Sequence, residues 1–220
     1  MTLTYEEIKK NENIKTYITK ADESLCALGY TEHSFAHVTK VALDAGWILE
    51  TLGYSAHDIE LVKIAGYLHD IGNLVNRMEH SQSGAVMAFR ILDKLGMDAA
   101  DIADIVTAIG NHDEGTGTPV NALSAALFLA DKSDVRRSKV RNSDITSFDI
   151  HDRVNYSVSS SCLKINEDKT EISLILEIDD KYSSVADYFE IFLQRMVLCR
   201  KAAVKLGLHF HLIINDRQMM

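Results

Sequence analysis

Along the first two thirds of the chain, apolar residues recur with the spacing of helix faces. His37, Val41, Ala45, Ile48 and Leu52 fall on one side of a helix with 3.6 residues per turn, so His37 is expected to face a core. The same period predicts helices near residues 4–28, 32–52, 57–69, 80–95, 98–110 and 120–138, with a shorter one over 146–154. Gly29-Tyr30, Gly53-Tyr54, Gly72, Gly96 and the stretch 115–119 separate them, because glycine and proline end helices. Near residue 157 the period drops to two. Ile172, Leu174, Leu176 and Ile178 alternate with Glu171, Ser173 and Glu177, the pattern of a half-buried strand. Residues 158–166 pair with that strand across a polar turn, which gives a hairpin over 157–179. A helix over 183–206, with Val185, Tyr188, Phe189, Phe192, Met196, Cys199, Ala203 and Leu206 on one stripe, and a last strand over 209–214 complete the reading. The expected fold is mainly α: a helical domain over 1–155, then a small α+β extension over 156–220. The stripe on the 183–206 helix exceeds what three strands cover, so a homodimer is expected through it.

Composition narrows the setting. At 220 residues, 46% of them hydrophobic, and with a mean hydropathy of −0.05, the chain can bury a substantial core and is expected to be water-soluble. Its apolar run over 122–130 falls well short of the ~20 residues that span a bilayer. The start, Thr4-Tyr5-Glu6-Glu7 followed by Lys9-Lys10, has no apolar run of the signal-peptide kind, so the cytoplasm is the expected location and no membrane partner is expected. Cys26, Cys162 and Cys199 are odd in number and far apart, which argues against disulfides and against a thiolate zinc site. A metal would therefore need His, Asp or Glu. The net charge of −9 disfavours long nucleic acid, while the cluster Lys132, Arg136, Arg137, Lys139 and Arg141 suits a small anion.

The candidate chemistry begins with Leu68-His69-Asp70-Ile71-Gly72 at the end of an apolar helix. An adjacent His-Asp pair offers an imidazole nitrogen and a carboxylate to one small volume, as a divalent metal with N and O ligands requires. The pair alone is short enough to arise by chance. His37, His80, His112 and Asp131, each at an expected helix face or end, make a set of six. His37 by itself would more often be a core histidine with a hydrogen-bond partner. Asp131 closes the apolar run before it, where an ionised carboxylate needs a cation or strong donors. A metal or a salt bridge would each serve. His33, one turn before His37, could reach the same cleft. Asp134 shares a face with Asp131 and could position substrate or a ligand histidine, or pair with Arg137 or Arg141 at the surface. His209 and His211 share one face of the last strand without a third ligand, and are read as surface residues.

From His33 to Asp134 the chain resembles the HD-domain metal-dependent phosphohydrolases. The resemblance runs through the segments at 37–42, 68–72, 80–85 (His80-Ser81-Gln82-Ser83-Gly84-Ala85), 111–114 (Asn111-His112-Asp113-Glu114) and 130–134 (Ala130-Asp131-Lys132-Ser133-Asp134). It implies a helical HD-domain core, and hydrolysis of phosphate esters of nucleotides or other small phosphorylated molecules. It also implies one or two divalent ions, among Fe, Mn, Co, Ni, Mg and Zn. The minimal family site carries over to His37, His69, Asp70 and Asp131. Two-metal members add histidines like His80 and His112, with Asp70 as the natural bridge. On that reading Asp70, His80 and His112 are the catalytic candidates. The region from Asp149-Ile150-His151 onward resembles the αβ extension of a prokaryotic subgroup.

Three departures matter. Many relatives carry Lys directly after His-Asp-Ile-Gly, where this chain has Asn73; substrate phosphate would then fall to Arg77, Lys132 or Arg136. Where dinuclear relatives often show two adjacent histidines, this chain has His112-Asp113. The Gly-Tyr-Pro signature of the cyclic-dinucleotide branch is absent. The same ligand set is also used by HD-type di-iron oxygenases, which iron content and O₂ uptake would separate from a hydrolase. A metal- or nucleotide-binding sensor without turnover is a third class, against which the complete ligand set argues.

Overall fold

The computed structural model describes residues 3–220. It is mainly α, with nine α-helices and a four-stranded sheet among the described residues. The single helix expected over 4–28 is two, α1 (Tyr5–Lys10) and α2 (Glu12–Ala27). Asn11 divides them: its backbone is extended, and its Oδ1 accepts from the amides of Asn13 and Ile14, an N-cap that starts the second helix. Then come α3 (Phe35–Leu52), closed by left-handed Gly53 with φ 84°, and α4 (Ala56–Leu68), opened by a reciprocal Ser55–Asp58 cap. A 3₁₀ turn, Ile71–Leu74, leads to α5 (His80–Lys94), α6 (Ala99–Gly110) and α7 (Ala122–Ser133). Helix α7 stops at Ser133, short of the expected 138. Asp134 leaves the helical conformation, at ψ 70°, and is drawn inward by a hydrogen bond described below.

Helix α8 (Ile150–Ser157) precedes β1 (Val158–Ile165) and β2 (Glu171–Ile178), the expected hairpin. Helix α9 (Val185–Lys205) carries the chain over to β3 (His209–Ile214), which lies parallel to β2 as a helical crossover permits. A two-residue strand, β4 (Arg217–Gln218), was not expected; it folds back on β3 through Asn215 and Asp216, both at positive φ. Strand order is β1-β2-β3-β4. Helices α3, α4, α6 and α7 pack on one another, α5 lies on α6, and α9 packs against α7 and β3. The buried apolar residues of the helical part and of the sheet form one cluster. Tyr188, Phe192, Met196, Cys199 and Ala203 of the α9 stripe are buried inside it, leaving Leu193 and Val204 as its large exposed apolar residues. Val185, Phe189 and Leu206 of the same stripe are half-buried, so most of it is covered within the chain. Among the described residues, no helix is long and apolar enough to cross a membrane.

Glycine sets the closest helix contact. A Cβ on Gly66 of α4 would lie 2.7 Å from the Ala42 Cα and 2.9 Å from its backbone nitrogen on α3. Backbone cannot give way cheaply, so Gly66→Ala is expected to destabilise by about 1–3 kcal/mol, the usual cost of overpacking. A Cβ on Gly46 would meet Lys63 methylenes at 2.7 and 2.9 Å, the far part of a flexible side chain. Gly46→Ala should therefore cost less than about 1 kcal/mol, net of the helix-propensity gain. Urea unfolding of the two variants checks the contrast.

Candidate metal centre

The six expected residues come together at helix ends. His37 lies in the first turn of α3, His69 and Asp70 just past α4, and His80 at the first residue of α5. His112 stands two residues past α6 and Asp131 in the last turn of α7. Gly72 lets the turn after Asp70 press onto the start of α5, since a Cβ there would meet the His80 carbonyl oxygen at 2.0 Å.

Each imidazole is held by its Nδ1. Those of His69, His80 and His112 reach the carbonyl oxygens of Gly66, Arg77 and Ile109, three residues back in each case, at 2.7, 3.1 and 2.6 Å. A carbonyl only accepts, so these three rings carry the proton on Nδ1 and leave Nε2 as a lone pair. His37 Nδ1 meets Asp134 Oδ2 at 2.7 Å with the same consequence. The four Nε2 atoms turn inward: His37 and His69 approach to 3.3 Å, His80 and His112 to 3.1 Å. Two lone pairs at such distances repel unless a cation lies between them.

Carboxylates complete the set. Asp70 Oδ2 lies 3.5 Å from His37 Nε2 and 3.4 Å from His69 Nε2, while its Oδ1 lies 3.4 Å from His80 Nε2 and 3.8 Å from His112 Nε2. Asp131 Oδ1 stands 3.4 and 3.7 Å from His37 and His69. One carboxylate thus serves both histidine pairs, one oxygen to each. The ligand atoms of three overlapping triads, His37-His69-Asp70, His69-His112-Asp131 and Asp70-His80-His112, lie within 4.8 Å of one another.

The electrostatics agree. Burial raises the Asp70 and Asp131 carboxyls, yet their neighbours, His69 for Asp70 and Lys132 for Asp131, hold both well below the usual carboxylate range. Burial, with the neighbouring His69 and His80 next, pushes His112 well below its ordinary value, so it is neutral. Burial and Lys139 also depress His37, but its hydrogen bonds to Asp131, Asp134 and Asp70 outweigh them and lift it to about 10. Left to itself, the pocket recruits a proton onto His37, which is what a surplus of acceptors demands. Neutral imidazoles and ionised carboxylates with no thiolate are the donors that divalent N/O-binding metals take. The residues present fit such a group, and the buried His/Asp cluster could hold one.

Outer groups fix the inner ones. Asp134 Oδ2 also accepts from Lys139 Nζ at 3.3 Å, and its Oδ1 accepts from Arg136 Nε at 2.9 Å, with Arg136 tied on to Glu32 at 2.8 Å. Asn73 donates to the Asp70 carbonyl and to Oδ1, both at 2.9 Å, and so orients the carboxylate that stands between the two histidine pairs. A cleft of about 410 Å³ opens from the site, lined among others by Tyr30, His33, Arg77, Lys132, Lys139 and Arg195. Of the residues expected to hold phosphate, Arg77 and Lys132 line it. Arg136 is not among the lining residues: its guanidinium is given to Asp134, behind His37, and to Glu32. Arg195 was not singled out by the sequence, since no local spacing marks it; Lys139 appeared there only within the basic cluster and Glu114 only within the 111–114 segment, neither with a role of its own. His209 and His211 stay on the sheet, with His211 Nδ1 taken by Gln218 at 2.8 Å.

Residues 34–145, half of the chain, match the HD domain family. The chain belongs to that family. The match takes in all six clustered residues together with Asp134 and Lys139, and ends before α8. An uncharacterised protein of Methanocaldococcus jannaschii is 25% identical over 213 residues, covering 86% of this chain and 80% of its own. Ribonuclease Y of Lawsonia intracellularis is 33% identical over 102 residues, which is 46% of this chain but 18% of that protein. A crystal structure described as a predicted HD superfamily hydrolase, from an uncultured Thermotogales bacterium, aligns with a TM-score of 0.45 at 24% identity, over 56% of this chain and 67% of that one.

Asp134 touches only His37 among the inner residues, so its loss should be felt through that ring. Asp134→Ala is expected to keep the fold and lower divalent-metal affinity about 10–100-fold, as removal of a ligand's orienting partner does. Competitive titration against a chromogenic chelator measures it.

Proposed function

We propose that this HD-domain protein is a metal-dependent phosphohydrolase acting on a phosphate ester of a nucleotide or another small phosphorylated molecule. The observation that carries the reading is the convergence of four Nε2 lone pairs on Asp70, each ring pinned from behind by its Nδ1. His37, His69, Asp131 and Asp70 Oδ2 would hold one divalent ion, and His80, His112 and Asp70 Oδ1 a second. When bound, such ions neutralise charge on a phosphoryl group and bring the pKa of a water there to about 7.

The chain's own residues do the rest. Arg77 stands at the rim with its guanidinium carbon 5.5 Å from the Tyr30 ring centroid and one nitrogen 3.3 Å from Asn73 Oδ1, so it is aimed at the His80 end of the cleft and can take phosphate oxygens. Lys132, buried beside Asp131, offers a second cation. Asp134 and Asn73 hold a ligand ring and the bridging carboxylate in place, which keeps reorganisation small when substrate arrives. Similarity to ribonuclease Y, by its name a nuclease, over 102 residues favours phosphate-ester chemistry; the net charge of −9 favours a short ligand over long RNA.

Purified protein loaded with Mn²⁺, Fe²⁺, Co²⁺ or Ni²⁺ and screened against an aryl phosphate and a panel of nucleotides tests the reading. Release of phosphate with at least one metal is expected, and none with any metal sinks it. Asp70→Ala should lose metal and hydrolysis together. His80→Ala should take metal content from about two ions per chain toward one if the site is dinuclear, and leave content unchanged with turnover lost if it is mononuclear. Arg77→Met should raise KM about ten- to a hundredfold, the loss of a charged hydrogen bond of about 1.5–3 kcal/mol.

A further inference from the structure

The C-terminal part of the chain reaches the metal centre through one side chain. Arg195 stands on α9, well beyond residue 145 where the HD match ends. Its guanidinium lies over the Phe192 ring, 4.5 Å from the centroid, and its Nε donates to Glu114 Oε1 at 2.7 Å. The other oxygen of Glu114 holds Lys132 Nζ at 2.6 Å, and that nitrogen lies 2.8 Å from Asp131 Oδ2. Asp131 gives its remaining oxygen to His37 and His69. An unbroken line of charged contacts therefore runs from α9 to the inner histidines.

The line has a weak link that Arg195 secures. Glu114 sits in the irregular stretch between α6 and α7, next to Gly115, where no helix fixes its position. Lys132 is buried, and an ammonium on a flexible four-carbon stem takes its direction from its acceptors. Glu114 and Asp131 are the two carboxylates paired with its ammonium, one on each side, and Lys132 lines the cleft.

We propose that Arg195 is a positioning residue: by fixing Glu114 it sets the direction of Lys132, so that the C-terminal helix governs how the HD core binds a phosphate group. The proposal rests on the phosphohydrolase reading for the nature of the anion. The alternative is that Arg195 merely staples α9 to the loop after α6, which would cost stability and leave phosphate binding alone.

The test is calorimetric binding of inorganic phosphate to the full chain loaded with Mn²⁺. Arg195→Met should weaken binding about tenfold or more, about 1.4 kcal/mol, with Mn²⁺ content and helicity unchanged. Arg195→Lys, which keeps a donor for Glu114, should recover most of the loss. If Arg195 acts through Glu114, Glu114→Gln and the Glu114→Gln/Arg195→Met double variant should bind phosphate equally poorly, because the second change has nothing left to remove. Binding by Arg195→Met within about twofold of wild type overturns the proposal. Defects that multiply in the double variant, or no recovery in Arg195→Lys, overturn it as well. So does a wild-type protein that binds no phosphate. A wild type that binds phosphate and hydrolyses no ester leaves the proposal standing and removes the hydrolase reading instead.

Discussion

The structure depends on where four imidazole protons go. Three of them are given to the carbonyl three residues back, and the fourth to Asp134. Once those bonds are made, the Nε2 atoms of His37, His69 and His112 face other acceptors and only His80 Nε2 has a guanidinium beside it, Arg77 at 3.3 Å, so the cluster holds a surplus of acceptors that a proton or a metal relieves. Burying unpaired acceptors is costly, and the helical frame has to absorb that cost when no cation is bound. This is why the core around the site is so uniformly apolar: Val38, Val41, Ile64, Ala65, Leu68, Ile105, Ala108 and Leu127 are all buried and hold the helix ends at fixed separation.

The three local anchors also explain what was legible in the sequence. A histidine at or just beyond a helix terminus finds an unused carbonyl three residues back, so its orientation is set within its own segment. His69, His80 and His112 could therefore be picked out as separate short motifs, and their convergence followed from the resemblance to a known helical core. The helices themselves were legible because their apolar period is strong and glycine closes several of them. His37 is different. Its orienting partner lies 97 residues away, and no pattern near His37 announces it. For the same reason the end of α7 was placed too late: the residues after Ser133 have ordinary helical composition, and a tertiary hydrogen bond to His37 overrides them.

Arg136 and Lys132 show the limit of reading charge from sequence. Both belong to one basic cluster, and both were expected to meet an anion from solution. The fold supplies internal anions instead: Glu32 and Asp134 for Arg136, Glu114 and Asp131 for Lys132. The two outcomes differ in kind. Arg136 is spent on bracing His37 from behind, where its fork suits two carboxylates at once. Lys132, paired with Glu114 and Asp131, still lines the cleft. A count of basic residues could not separate them, because the difference lies in which acidic residues the helices bring near.

The extension after residue 155 shares this logic. Its first three strands and its helix were legible, the strand β2 from a period of two and the helix from a single stripe, but β4 was not, and the stripe alone could not say what covers it. Within the chain it meets α7, the helix that carries Asp131 and Lys132. Packing α9 there buries Phe192 and Met196 and, on the same helix, leaves Arg195 partly exposed at the cleft. The apolar face that anchors the extension and the charged residue that enters the site are thus fixed by one docking event. A change that shifts α9 on α7 moves Arg195 relative to Glu114, and through Glu114 it reaches Lys132 beside Asp131.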